Sequence, residues 1–92
     1  MKLIFTPHAL FEMNRRDLTQ ETVKDVVGHP DQNWEIREGR LLFQKCVNMG
    51  IPEKKYLIRV FVDVISDQME VVTTYKTTKI EKYWRKNNEG LL

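Results

Sequence analysis

Tyr56–Ile65 is a run of ten residues that alternates yet is apolar on both sides. Tyr56, Ile58, Val60, Val62 and Val64 share one face of an extended chain, and Leu57, Phe61 and Ile65 make the other face apolar as well. A strand that buries both faces belongs in the middle of a sheet. Neighbouring strands must therefore be found in the same chain.

They lie on either side. From Asn33 the period is two, with Trp34 and Ile36 alternating with Glu35 and Arg37 before a turn at Glu38-Gly39. Leu41, Phe43, Val47 and Met49 fall on one face of a second strand, interrupted by Lys45, and Gly50-Ile51-Pro52-Glu53 is a loop. After Tyr56–Ile65, Ser66-Asp67-Gln68 turns into the β-rich run Met69–Tyr75. The opening residues Lys2–Phe5 read as a short edge strand or a lead-in.

Helices flank this block. Thr6-Pro7 has the form of an N-cap followed by a first-turn proline, and the helix it opens runs to about Arg16. Ala9, Leu10 and Met13 share one side of it, with His8, Glu12 and Arg15 on the opposite stripe. A second helix starts at Thr19, where Leu18 and Val23 are spaced as a hydrophobic staple, and ends at Gly28-His29-Pro30. A last helix, about Thr78 to Lys86, turns Ile80, Tyr83 and Trp84 to the sheet and Lys79, Lys82 and Lys86 outward. The expectation is an α+β domain spanning residues 1–92, with two N-terminal helices, four mostly antiparallel strands and one C-terminal helix.

Composition narrows the class. The chain is 41% apolar and 30% charged, as in a soluble globular protein, and has no apolar run long enough for a membrane helix or a signal-peptide core. Cys46 is the one cysteine, so an internal disulfide is excluded. With two histidines far apart, a structural metal site is not expected either, and no cofactor is called for. The net charge of +2 is unevenly placed. Residues 76–92 carry Lys76, Lys79, Lys82, Arg85 and Lys86 against Glu81 and Glu89, a basic end on a near-neutral body. That is the footprint of a surface that meets a polyanion, or of a terminal helix kept soluble by its lysines.

Two separated blocks carry a resemblance. The first is His8-Ala9-Leu10, then Met13 and Arg16-Asp17-Leu18-Thr19; the second is Val71-Val72-Thr73-Thr74-Tyr75 followed by Thr77-Thr78-Lys79-Ile80-Glu81-Lys82-Tyr83-Trp84. In this order they resemble a widespread prokaryotic domain-of-unknown-function family related in fold to the RelE/ParE-type toxins, which share the barnase–EndoU–colicin–RelE fold. That family commonly has glycine after the arginine, where this chain has Asp17. The resemblance implies a RelE-like cytoplasmic protein, a toxin-like and metal-independent ribonuclease. Its substrate would be RNA or ribosome-bound mRNA, and its partner a cognate antitoxin.

The chemistry of such a reaction is attack of a ribose 2′-hydroxyl on the adjacent phosphate, which needs proton transfer and charge stabilisation. His8 suits proton transfer and Arg16 suits the phosphate, with Thr73 and Tyr75 completing the set at the end of the last strand. Arg15, Lys76, Lys79, Lys82 and Lys86 are the residues expected to attract an RNA backbone. Each has a structural competitor. His8 and Arg16 both stand four residues from Glu12, a helix-stabilising spacing, and Thr73 and Tyr75 have ordinary packing roles in a strand. Tyr83 and Trp84 read as the apolar anchor of the last helix rather than as base-stacking groups. A non-catalytic module binding nucleic acid or protein through the lysine stripe is the alternative, and an assembly domain pairing through its strand edge is a third.

Overall fold

The computed structural model describes residues 2–86. Its elements in order are β1 (Lys2–Phe5), α1 (Pro7–Arg15), α2 (Gln20–Gly28), β2 (Gln32–Arg37), β3 (Arg40–Met49), β4 (Lys54–Ile65), β5 (Gln68–Thr77) and α3 (Ile80–Tyr83). The class is α+β, with five strands rather than four in one sheet of order β1-β5-β4-β3-β2. The two-sided strand β4 is in the middle. β2 through β5 are antiparallel neighbours, whereas β1 lies parallel to β5, Lys2 opposite Gln68 and Phe5 opposite Val71.

Both N-terminal helices begin as their caps dictate. The Thr6 hydroxyl accepts from the Ala9 amide at 3.1 Å and donates to the Val71 carbonyl at 3.0 Å, so one side chain starts α1 and ties it to β5. Thr19 accepts from the Thr22 amide and starts α2. Between them Asp17 has φ +53°, in the left-handed region that glycine enters without a Cβ penalty. Asp17→Gly is therefore expected to leave the fold unchanged and raise stability by about 0.5–1 kcal/mol, read as a higher urea midpoint at constant slope.

Both helices pack on one face of the sheet. Ala9 and Met13 from α1 and Val23 and Val26 from α2, with Leu18 between the helices, bury against Phe43, Ile58, Val60, Val62 and Val71. Glu12 corrects the expected outer stripe of α1. It is buried beside Ala9 and Met13, bonded to Arg15 at 3.4 Å and to Arg16. The last helix is also shorter than expected. Lys79 gives it no side-chain cap, and beyond Tyr83 the backbone is extended at Trp84. There the Gln32 side chain holds both backbone groups of Arg85, donating to its carbonyl at 2.6 Å and accepting from its amide at 3.1 Å. No helix among the described residues is long and apolar enough to cross a membrane. Glu89, counted in the basic end, lies outside the described residues.

Candidate anion-binding site on the second sheet face

Alternation along β4 sends Val60 and Val62 into the helix-covered core, so Arg59 and Phe61 point the other way. On that second face the register lines up Gln32, Gln44, Arg59 and Tyr75 in one row across four strands. The next row is Trp34, Leu42, Phe61 and Thr73. At the far end a two-pronged bond joins Arg40 to Asp63, at 2.6 and 2.8 Å, and holds the Asp63 carboxyl below the usual carboxylate range.

Arg59 is the centre of this face, with 9% of its surface exposed. Its Nε donates to Gln44 Oε1 at 2.9 Å and its Nη1 to the Tyr75 hydroxyl at 2.8 Å. Three rings surround the guanidinium: Tyr83 at 4.4 Å, Phe61 at 5.5 Å and Tyr75 at 5.8 Å from the ring centres. No carboxylate pairs with it among the described residues. Among the described residues its Nη2 makes no hydrogen bond either, yet none of their side-chain nitrogens or oxygens is both buried and unpaired. That nitrogen therefore reaches the surface. A buried cation without a counter-charge is costly, and ring faces offset only part of the cost. An arginine held in this way, with two nitrogens fixed and a third turned outward, is preorganised for an anion.

The tyrosines bring proton-transfer groups to the same place. The Tyr83 phenol is held below the ordinary tyrosine range, first by the neighbouring Tyr75 hydroxyl, then by the Lys82 ammonium, with a smaller contribution from the Arg59 charge, all against a burial effect that raises it. Lys82 Nζ stands 5.3 Å from the Tyr83 ring centre. Tyr75 and Tyr83 meet edge to face, with ring centres 6.2 Å apart.

The expected site residues divide between the two sides of the sheet. Thr73 and Tyr75 are on the second face, in register with Phe61 and Arg59. Arg16 comes from the helix side to the outer edge of β5, where its Nη1 lies 3.4 Å from the Thr74 carbonyl. β1 pairs only with Gln68–Val71, so this stretch of edge has a helix beside it instead of a strand. His8 is exposed on the first turn of α1, and its ring makes no hydrogen bond among the described residues. The four residues do not converge as a set.

The basic residues are also dispersed. Lys82 belongs to the Arg59 site, while Lys79 is exposed at the start of α3. Lys76 is on the helix side of β5, 5.0 Å from the Tyr56 ring centre, and Arg15 lies over Phe11 at 6.0 Å. Lys86 lines a separate open cleft together with Trp84, Ile80, Cys46, Asp31 and Lys55. Tyr83 is more than an apolar anchor, since its ring is the closest to Arg59. Sequence reasoning passed over Arg59, Gln44 and Gln32. The available signal was an arginine at an inward position of the most apolar strand.

No protein-family model, curated protein or solved structure matches the chain.

Proposed function

We propose that this protein is a toxin-like, metal-independent ribonuclease of RelE-like fold, active on RNA in the cytoplasm, with its site on the second face of the sheet. The observation that carries the reading is the buried Arg59 guanidinium, without a carboxylate partner among the described residues and standing between two tyrosines. In this reading Arg59 Nη2 binds a phosphate oxygen of the RNA and stabilises the charge that grows there. The Tyr83 phenolate takes the proton from the ribose 2′-hydroxyl, whose oxygen bonds to phosphorus. The bond from phosphorus to the 5′-oxygen breaks. Tyr75, whose oxygen already accepts from Arg59, donates its proton to that leaving oxygen. The products are a 2′,3′-cyclic phosphate and a 5′-hydroxyl. A cognate antitoxin would act by covering this face.

The test is incubation with single-stranded RNA and with a translating extract, in chelator, followed by analysis of the new ends. Cyclic phosphate ends in either sample are the expected result; intact RNA in both overturns the reading. Because only the ionised Tyr83 accepts a proton, the rate should rise with pH through its lowered pKa and then level. Lys82→Met removes a positive charge that favours the phenolate, and so moves the rising limb to higher pH. Tyr83→Phe should lose about 10²–10⁴ in rate. His8→Ala, at an exposed position, should stay within about twofold of wild type. A His8→Ala loss matching that of Tyr83→Phe would put the chemistry at α1 instead. The binding-module alternative is favoured by the three rings around Arg59, and predicts RNA binding through Arg59 without cleavage.

A further inference from the structure

We infer that Gln44 is a positioning residue that joins the Arg59 anion site to the docking of the segment Ile80–Lys86, with Gln32 as the second link. This rests on the Arg59 reading proposed above. Gln44 is fully buried in β3, and both ends of its amide are used. Its oxygen accepts from Arg59 Nε at 2.9 Å. Its nitrogen donates to Gln32 Oε1 at 2.7 Å and to the Tyr83 carbonyl at 3.2 Å. Gln32 in turn grips both backbone groups of Arg85. The amide orientation is determined by its partners. A flipped Gln44 would set its NH₂ against the Arg59 Nε–H and its oxygen against the Tyr83 carbonyl. Only a side chain with an acceptor and a donor in one plane serves both partners; glutamate lacks the donor and methionine lacks both.

The segment depends on these bonds. α3 has four residues, no side-chain cap and no buried residue, so little within the helix itself holds it in place. On this face Tyr83 also meets Tyr75 edge to face, and Arg85 lies over the Trp34 ring at 3.9 Å. Tyr83 completes the ring cage only when the segment is docked. The same amide row that aims Arg59 therefore brings in the phenol, and by reciprocity an anion on Arg59 stabilises the docked segment.

The experiment uses the full chain labelled with fluorotyrosine, compared as wild type, Gln44→Met and Gln32→Ala, together with amide and guanidinium hydrogen exchange. Tyr83→Phe identifies which of the three tyrosine signals belongs to residue 83. In wild type Tyr83 should titrate below the ordinary tyrosine range. In Gln44→Met the Tyr83 midpoint should move up toward the ordinary tyrosine range, and exchange at Arg59 Nε–H and the Arg85 amide should quicken together by about tenfold or more. Core amides such as Val60 and Val62 should stay protected, which separates release of the segment from unfolding. In Gln32→Ala the Arg85 amide should quicken while Arg59 Nε–H stays slow. A Gln44→Met protein in which Tyr83 still titrates low and Arg85 still exchanges slowly overturns the inference. A parallel arm measures binding of a single-stranded 2′-O-methyl RNA, which lacks the attacking hydroxyl. Failure of wild type to bind it counts against the ribonuclease reading alone, because the tyrosine and exchange measurements need no RNA. Equal RNA affinity of wild type and Gln44→Met, with Tyr83 released, overturns the coupling.

Discussion

Arg59→Met should abolish RNA cleavage, by about 10²–10³ or more in rate, in a protein that stays folded. The two effects have different origins. In the proposed reaction, catalysis loses the guanidinium nitrogen assigned to the phosphate, together with the charge that favours the Tyr83 phenolate. Folding loses a buried cation that has no carboxylate partner among the described residues, and an apolar chain of similar length can fill the space between Phe61, Tyr75 and Tyr83. Thermal melting should therefore show a midpoint near or above that of wild type, even though the Gln44 and Tyr75 oxygens each lose a donor. Arg59→Lys should also fail, because a single ammonium cannot bond Gln44 and Tyr75 and still present a third donor. A residue that costs stability and carries activity belongs to a site. Arg59→Met cleaving RNA at the wild-type rate, with verified folding, would remove this face from the mechanism.

The opposite pattern is expected at Ile58, next to it in the chain. Ile58 is fully buried on the helix side of the central strand, within the cluster formed by both helices. Ile58→Ala removes three carbons from a layer that the sheet and two helices keep from collapsing, and should cost about 2–5 kcal/mol. In urea the midpoint should fall while the slope stays constant. Ile65, in the same strand but 49% exposed, should change stability by less than about 0.5 kcal/mol on replacement by alanine. Equal losses at the two positions would contradict the burial pattern of β4.

How much of this was legible depended on the range of the interaction. The central place of β4 followed from its own residues, since both faces are apolar. The caps at Thr6 and Thr19 were legible because a cap acts on an amide three residues away. The parallel pairing of β1 with β5 was not legible, because it joins residues 2–5 to residues 68–71 and leaves no local mark. Arg59 escaped for a related reason. Its partners Gln44, Tyr75 and Tyr83 come from β3, β5 and α3, and a slip of one residue in any register would have turned them to the other face. Arg16 was recognisable as part of a block, but its approach to the Thr74 carbonyl needs the edge that the short β1 leaves uncovered. The short α3 ends where Trp84 is extended and the distant Gln32 side chain takes both backbone groups of Arg85.

The parallel pairing of β1 also dictates an order of assembly. Residues 2–5 are made before Gln68–Val71 and have no strand to join until that segment has followed. The β3–β4 hairpin closes over a short loop and can form without distant residues, while β1 waits for β5. Thr6, bonded to Val71, delays the anchoring of α1 to the sheet in the same way. A nascent chain halted before residue 68 would thus carry an unattached N-terminal strand with apolar Leu3, Ile4 and Phe5, a natural target for holding chaperones.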